Sequence, residues 1–475
     1  PNQSCSRSQP AELSRSVDER FANPTVPDKK GRSMSQSVPQ LTAAHGPRRV
    51  RMTRVLLSAV AIACVGLAIG WVAWGGPAWL EAVTHPSLPI AKDAGQVAFE
   101  VEEVLATGLQ SPWGLAFLPD GRLLITERPG RLRLVTNGVL DPEPIEGLPA
   151  IAFRGQGGLM DVALHPTFPE QPWVYLSYSA QEGGAFFTRV TRHRWTEQVD
   201  PDKQASTDRD PEAADQDPPA RPRLTDSEMI LERGAVNRDP AHFGSRLAFD
   251  EQGFLYITLG ERHEKEHAQS LAHLHGKTLR LHDDGRVPSD NPFVTTEGAR
   301  PEIFTYGHRN AQGLVWHPRF RVLYVSEHGP TGYDAPPGGD EVNRLVAGGN
   351  YGWPVISHRR TREGMIAPLA EYTPANAPAG ITVVSGDAFA AWRDNLLMAT
   401  LRGSSLVRIV LNDAGTEAVA QEVLLTSHGR LRDVRCAADG TLYVLTSNTD
   451  QYGRERNRST DKLLRLVPRR EASPE

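Results

Sequence analysis

From residue 95 onwards the chain repeats one short pattern, in which an apolar strand is followed by a polar turn and then by a second strand rich in Leu, Tyr and Val. Apolar runs of this length that are bounded by Pro, Asp and Gly predict short β-strands. Six copies occur, and repetition of this kind is typical of an array of similar sheets. They read GLAFLPDGRLLITE from Gly114, DVALHPTFPEQPWVYLSYS from Asp161, RLAFDEQGFLYITLGE from Arg246, GLVWHPRFRVLYVSEHG from Gly313, GITVVSGDAFAAWRDNLLMATLRG from Gly380 and DVRCAADGTLYVLTS from Asp433.

Several copies continue into a further strand, which gives roughly four strands per copy. These continuations are RLRLV from Arg131, KTLRLH from Lys277, SLVRIVL from Ser405 and KLLRLVP from Lys462. Long helical periodicity is almost absent. The sequence therefore predicts an all-β fold over residues 98–468, a six-bladed β-propeller of four-stranded antiparallel sheets. We expect the stretch that begins at Phe99 to join the last blade, so that the ring closes without open sheet edges.

One apolar run precedes the repeats. Residues 55–74 are uncharged and long enough to cross a bilayer as a helix. Four arginines come just before this run, and positive charge on that side favours export of everything that follows. They are Arg48, Arg49, Arg51 and Arg54. We therefore predict one N-terminal transmembrane anchor over residues 53–75, with a cleaved signal segment as the alternative, after a disordered tail over residues 1–50.

Charge and composition restrict the partners rather than identify one. The formal net charge is −5, so no basic surface indicates nucleic acid. The stretch 198–226 is acidic, rich in Pro and free of aromatic residues, which predicts a solvated surface insertion. A monomer and a homodimer are both compatible with the sequence.

Candidate chemical residues recur in the loops between strands. In a propeller these loops meet at the mouth of the central channel, so residues from distant copies are expected to lie together. They are Gln156 in RGQGGLMD, His242 in AHFGSRL, Arg309 and Asn310 in YGHRNAQG, Gly329 and Pro330 in EHGP, Arg402 in LRG, and Arg430 and Arg432 in GRLRDV.

These motifs, together with GGDEVNRLVAGGNYGWP from Gly338, resemble the glucose/sorbosone dehydrogenase family, the soluble aldose sugar dehydrogenases that depend on pyrroloquinoline quinone (PQQ). The resemblance extends from Val104 to Pro468. It implies oxidation of an aldose at C1 to a lactone, with electrons passed to an external acceptor such as a quinone or a cytochrome. With the predicted anchor, it places the catalytic domain on the periplasmic side of a bacterial inner membrane.

The resemblance also implies a role for each loop residue. PQQ carries three carboxylates, and guanidinium and amide groups suit such an anion. By resemblance it is bound by Gln156, Arg309, Asn310, Arg402, Arg430 and Arg432. His242 is implied as the general base, and Arg309 as the group that stabilises negative charge on the quinone. The family's Ca²⁺ corresponds to the carbonyls of Gly329 and Pro330, and a second Ca²⁺ to the Glu341 side chain and the Tyr351 carbonyl.

Three positions depart from the family pattern. Arg402 stands where Lys is usual, Ser245 stands where a second Gly is usual, and Ala241 precedes His242 where some relatives have an acid. A planar guanidinium is not equivalent to an ammonium, so the affinity for PQQ is expected to differ.

Other functions compete with this interpretation. The segment HEKEHAQSLAH over residues 263–273 has the spacing of a zinc metalloprotease helix. It is charged and follows a strand, which favours a loop. A calcium-dependent propeller hydrolase of the lactonase type and a cofactor-free binding propeller are the remaining alternatives, because one fold hosts many activities.

Overall fold

The computed structural model describes residues 88, 97–198, 221–449 and 460–469. The predicted tail (1–50) and the predicted anchor (53–75) lie outside the described residues. Within the described part of the chain, no helix combines the length and the apolar character that a membrane span requires.

The described residues form strands arranged in four-stranded antiparallel sheets, which are the blades. The first strand, β1 (Phe99–Leu109), belongs to the last blade. Blade 1 contains β2 (Pro112–Phe117), β3 (Leu123–Glu127), β4 (Arg131–Thr136) and β5 (Val139–Leu140). Blade 2 contains β6 (Leu159–Leu164), β7 (Trp173–Glu182), β8 (Ala185–Gln198) and β9 (Arg221–Asn237). Blade 3 contains β10 (Gly244–Phe249), β11 (Leu255–Leu259), β12 (Lys277–Leu281) and β13 (Ile303–Tyr306).

The second half of the chain repeats the arrangement. Blade 4 contains β14 (Ala311–His317), β15 (Val322–Glu327), β16 (Asp340–Arg344) and β17 (Ala370–Tyr372). Blade 5 contains β18 (Pro378–Val383), β19 (Leu396–Thr400), β20 (Ser405–Leu411) and β21 (Ala418–Leu424). Blade 6 contains β22 (Leu431–Cys436), β23 (Leu442–Thr446), β24 (Asp461–Pro468) and β1. Two short 3₁₀ helices, Lys265–Gln269 and Ala390–Trp392, lie in connections.

The six blades form a closed ring. The first strand of each blade contacts the first strands of its neighbours in the order β2, β6, β10, β14, β18, β22 and back to β2. These innermost strands share one burial pattern in blades 1, 2, 3 and 6, with four buried residues followed by two that are partly exposed. The predicted six-bladed propeller of four-stranded antiparallel sheets is confirmed.

The ring closes at blade 6, where β1 pairs with β24 from Phe99 opposite Pro468 to Leu109 opposite Asp461. The predicted N-terminal contribution to the last blade is therefore confirmed. Pairing the first strand with the last removes two open sheet edges.

Two aspartates bind neighbouring blades to each other at equivalent positions, the third residue of β6 and of β22. Asp161 Oδ2 accepts the N–H of Leu247 in blade 3 (2.9 Å), and Asp433 Oδ2 accepts the N–H of Leu115 in blade 1 (3.1 Å). A Cβ at Gly380 in blade 5 would lie only 1.8 Å from Asp433 Oδ1. The repeat therefore needs a glycine on one side of the aspartate and a backbone donor on the other.

Arg246 fills the channel between these aspartates. Its guanidinium lies 3.1 Å from both Asp161 and Asp433, and its centre is 4.0 Å from the ring centroid of Trp113. Buried charges of this kind persist where they are paired and hydrogen-bonded. The network joins the innermost strands of blades 2, 3 and 6 and packs against that of blade 1.

Both ends of the predicted insertion belong to β-strands. β8 ends at Gln198 and β9 begins at Arg221, so the first residue and the last six residues of the stretch 198–226 belong to blade 2. Residues 199–220 lie outside the described residues.

Candidate active site

The predicted site residues lie at one end of the ring. Gln156, His242, Arg309 and Asn310 precede the first strands of blades 2, 3 and 4, while Gly329 follows the second strand of blade 4. In an antiparallel blade, the start of the first strand and the end of the second lie at the same edge. The antiparallel topology therefore places these loops around one mouth.

His242 is held from three directions. Its side chain is buried, and its backbone N–H donates to Gln156 Oε1 (2.9 Å). On one edge of the imidazole, Nδ1 contacts Glu261 Oε1. On the other edge, Nε2 lies 3.3 Å from Nε2 of His263. The backbone of His242 has a positive φ of 51°, a conformation that the surrounding contacts must maintain.

His263 connects this imidazole with the exterior. Its Nδ1 lies 2.7 Å from Asp239 Oδ2, and its ring meets that of His242 edge to face at 4.1 Å. Tyr333 packs against the other side of His263 at 5.6 Å. The His263 side chain is 29% exposed, so the sequence Asp239, His263, His242, Glu261 runs from the surface into a buried pair.

Burial sets the protonation of this pair. It lowers the pKa of His242 well below its usual value, and the positive charge of Arg309 lowers that pKa further. Burial raises the pKa of Glu261 to about 8, which Arg309 only partly opposes. Because both shifts disfavour charge, the pair is net neutral at pH 7, with the titrating proton on Glu261.

Arg309 is fixed with one donor left over. Its Nε donates to Asp334 Oδ2 (2.8 Å) and its Nη1 donates to the His328 carbonyl (3.2 Å). Its backbone N–H donates to Glu327 Oε1. The remaining Nη2 is buried and has no hydrogen-bond partner in the protein. A buried guanidinium nitrogen without an acceptor is costly, so this atom is suited to an anionic ligand.

Two further arginines surround His328. Burial, together with the positive charges of Arg309, Arg432 and Arg430, lowers the pKa of His328 to about 3. Arg432 is buried, and its Nη1 donates to Gln312 Oε1 (2.7 Å). The structure therefore brings three of the four predicted arginines together around one neutral imidazole.

The other two predicted cofactor ligands, Asn310 and Arg402, differ from each other in burial. Asn310 is buried, and its Oδ1 accepts the N–H of Gly244 at the start of β10 (3.1 Å). Arg402 is exposed on the loop after β19, and its backbone N–H donates to the Asn376 carbonyl (3.0 Å). In the described part of the chain, no contact places the Arg402 guanidinium beside Arg309, Arg430 or Arg432.

A small cavity joins the positions that the resemblance assigns to calcium. It measures about 10 Å³, enough for roughly one water-sized particle. Its lining includes Arg309, Gly329, Pro330, Glu341 and Tyr351. The structure thus brings these predicted residues to one place.

Glu341 lies among other carboxylates. Burial raises its pKa well above the usual value, and repulsion from Glu327, Glu371 and Asp340 raises it further. Its Oε2 accepts a hydrogen bond from Asn343 (3.2 Å). A divalent cation would relieve this repulsion, since carboxylate and carbonyl oxygens are the ligands that Ca²⁺ prefers.

The HEKEH segment is not a zinc protease helix. Its only regular structure is the five-residue 3₁₀ helix Lys265–Gln269. Arg262 and His263 have positive φ values of 59° and 62°. The chain therefore turns sharply there, and His263 contacts His242 instead of sharing a helix face with His267.

Sequence reasoning did not place His263 in the site, and it missed Asp239 beside His263 and Asp334 on Arg309. A repeated signal in the sequence pointed to Glu261. The second strands of blades 1, 3 and 4 each end at or near an acid, Glu127, Glu261 and Glu327.

Comparison with known proteins agrees with this geometry. The family model described as Glucose / Sorbosone dehydrogenase matches residues 109–454. The aldose sugar dehydrogenase YliI of Escherichia coli is 35% identical over 383 residues, which cover 77% of this chain and 92% of that protein.

Two solved structures are similar over almost their whole length. A putative oxidoreductase (glucose dehydrogenase) from Thermus thermophilus is 39% identical with a TM-score of 0.66, covering 78% of this chain and 100% of that one. The PQQ-bound aldose sugar dehydrogenase of Streptomyces coelicolor is 31% identical with a TM-score of 0.63, covering 79% of this chain and 99% of that one. Since the family model and these relatives span the propeller, the chain belongs to the Glucose / Sorbosone dehydrogenase family.

Proposed function

We propose that this protein is a PQQ- and calcium-dependent dehydrogenase that oxidises aldose sugars at C1 to lactones. One observation carries the proposal. The buried His242–Glu261 pair lies beside Arg309, whose Nη2 is buried without an acceptor. A base and an unsatisfied anion donor at the same mouth suit the removal of a proton next to an anionic cofactor.

The donor set fits PQQ. Arg309, Arg430 and Arg432 all act on His328, so three guanidinium groups share one region. Gln156 and Asn310 add amide groups at the same mouth. When bound, PQQ supplies an ortho-quinone that accepts a hydride from C1 of the sugar. Arg402 is proposed as a ligand at the rim, where its exposed side chain has freedom to move.

His242 takes the proton of the C1 hydroxyl at Nε2. This requires Nδ1 to carry the ring proton and to donate it to an ionised Glu261, which leaves Nε2 as the acceptor. Asp239 accepts from Nδ1 of His263 and so leaves Nε2 of His263 unprotonated, 3.3 Å from Nε2 of His242. We infer that the abstracted proton passes from His242 to His263, whose partly exposed ring releases it to water.

Calcium is proposed at two places. The carbonyls of Gly329 and Pro330 would bind one ion, which would supply Lewis-acid polarisation to the cofactor's quinone. Glu341 and the Tyr351 carbonyl would bind a second ion beside the carboxylate cluster. Both sets contribute to the lining of the small cavity near Arg309.

Dye reduction by the full-length chain tests this function. We expect reduction of an artificial electron acceptor with an aldose only when both PQQ and Ca²⁺ are present. The variant His242→Asn should reduce kcat at least about 100-fold, the contribution of a general base, while PQQ is still bound. The control His282→Asn alters a partly exposed histidine packed on Phe254 and should retain activity.

Two results would contradict the proposal. Near-normal turnover in His242→Asn removes His242 as the base. Failure of every aldose to reduce the dye in the PQQ- and calcium-loaded protein removes the sugar dehydrogenase function itself, and lactone hydrolysis by the same sample would favour the hydrolase alternative.

We also propose that the segment 53–75 anchors the enzyme in a bacterial inner membrane, with the propeller in the periplasm and a quinone or cytochrome as acceptor. Its uncharged length and the preceding arginines support this. Fractionation of cells that express the full-length chain should recover it with membranes and show the propeller accessible to protease from the periplasm. Recovery in the cytosolic fraction would overturn the anchor.

A further inference from the structure

Three histidines that the proposed reaction does not use lie together in the loop between β11 and β12. One ring nitrogen each of His267, His273 and His275 lies within 4.8 Å of the corresponding nitrogens of the other two. The rings of His267 and His273 stack with centroids 3.9 Å apart, and those of His267 and His275 are 5.1 Å apart. Among the residues that the structure describes, no other group of three metal-binding side chains is this compact.

A buried lysine assembles this loop. Lys277 Nζ donates to the carbonyls of His267 (3.0 Å), Ala268 (3.0 Å) and His275 (2.6 Å). One ammonium group thereby holds both ends of the histidine segment. The imidazoles are brought together by the folded backbone rather than by each other, so the cluster is preorganised.

Ring nitrogens in the cluster lack hydrogen bonds. Nδ1 of His275 and Nδ1 of His267 are both buried without a hydrogen-bond partner. The opposite nitrogen of His275, Nε2, donates to the Val236 carbonyl (3.1 Å), so its Nδ1 carries the lone pair. A ligating histidine commonly donates its second nitrogen to a backbone carbonyl in this way, which fixes the tautomer.

A carboxylate lies beside two of the three histidines. Glu264 Oε2 lies 2.7 Å from Nδ1 of His267 and 3.5 Å from Nε2 of His275. The contact with His267 is close but does not have the geometry of a hydrogen bond. The cluster therefore offers three imidazoles, with one carboxylate beside two of them.

We propose that His267, His273 and His275 bind a divalent transition-metal ion of the zinc type, with Glu264 as the neighbouring carboxylate. Zinc binds imidazole nitrogen at about 2.0–2.1 Å in a tetrahedral arrangement, which requires ligand atoms roughly 3.3 Å apart. The ring nitrogens lie up to 4.8 Å apart, so the stacked rings of His267 and His273 must turn away from each other for both to reach one ion. Nitrogen ligands select against Ca²⁺, so this site is chemically distinct from the proposed calcium positions.

The site would fix the loop that carries Glu261 and His263. Both residues stand only a few positions before Glu264, at the beginning of the same connection. A metal bound at its other end would restrain this connection independently of PQQ. The proposed role is structural, since His267 and His273 are not among the contacts of His242.

Metal titration of the full-length, tag-free chain tests the site. After removal of metals, with Ca²⁺ restored in excess, zinc chloride is titrated by calorimetry, and Co²⁺ is added separately to follow its visible absorption. We expect one zinc ion per chain with an increase in Tm. His273→Gln should weaken binding at least about tenfold and abolish the increase in Tm, whereas the control His282→Gln should behave as the natural sequence.

Two outcomes would overturn the proposal: an unaltered chain that binds no zinc, or zinc binding by His273→Gln equal to that of the control. If His273→Gln has a lower Tm than the control without added metal, His267→Gln replaces it, and equal zinc binding in that variant overturns the proposal in the same way. None of these measurements depends on PQQ or on sugar oxidation, so failure of the site leaves the proposed function intact.

Discussion

At the scale of single residues, the position of one proton determines whether His242 can act. A protonated Glu261 donates to Nδ1 of His242 and leaves the ring proton on Nε2, which then faces His263. An ionised Glu261 accepts from Nδ1 and exposes the lone pair on Nε2. Burial of the pair favours the first arrangement at neutral pH, because it raises the pKa of Glu261 to about 8.

Turnover is therefore expected to rise with pH. The base-competent form is the deprotonated pair, so kcat should increase as the pH passes through about 8, from a low value at pH 6.5 towards a plateau near pH 9. Glu261→Gln should remove this rise, because an amide oxygen accepts from Nδ1 at every pH. The measurement is the pH profile of kcat for dye reduction by the PQQ- and calcium-loaded enzyme.

A surface glutamate provides the control for that profile. Glu251 lies in the turn between β10 and β11, at the opposite end of the blade, and pairs with Arg321. Glu251→Gln should reproduce the rise of the natural sequence. A profile in Glu261→Gln that still rises near pH 8 would show that another group titrates there.

At the scale of elements, strands were predictable and loop partners were not. The apolar repeats specify the strands, since each blade packs both faces against neighbours, and β3, β11, β15 and β19 are buried throughout. The loops before the first strands could be placed at one mouth because antiparallel topology requires it. This explains why Gln156, His242 and Arg309 were found together.

The loop between β11 and β12 shows where sequence reasoning stops. The segment that contains His263, His267 and His273 has the spacing of a zinc metalloprotease helix, although its charge favoured a loop. In the structure, His263 contacts His242. His275, and not His263, lies beside His267 and His273. This arrangement results from the positive φ at His263 and from the three hydrogen bonds of Lys277. Both depend on backbone geometry, which the spacing of residues along a sequence does not describe.

Ion pairs between residues far apart in the sequence could not be predicted for the same reason. Asp334 is held against Arg309 by a loop of blade 4 that has no regular structure, so nothing in its local sequence marked it. Arg402 matched a motif by position, yet its exposed side chain depends on how the loop after β19 is oriented. Motif matching named residues whose loops lie around one mouth, whereas their side-chain contacts required the structure.

At the scale of the whole molecule, stability depends on how the ring closes. Five blades are built from consecutive strands, but blade 6 takes β1 from the other end of the chain. The interface between blades 6 and 1 contains Leu105 and Leu109 of β1 together with Leu463 of β24 and Ile125 of β3. The first described strand therefore contributes both backbone pairing and apolar contacts to closure.

Removing one side chain from this interface should weaken the whole propeller. Leu105 is buried opposite Leu463, so Leu105→Ala should lower the free energy of unfolding by about 2–4 kcal/mol, the usual cost of a cavity. Its near neighbour Glu103 pairs with Lys462 on the exposed surface, and Glu103→Ala should cost less than about 1 kcal/mol. Urea denaturation of both variants checks this. Because the two residues lie on the same strand, equal losses would mean that β1 adds backbone pairing alone, and that closure does not depend on apolar packing between the first and last blades.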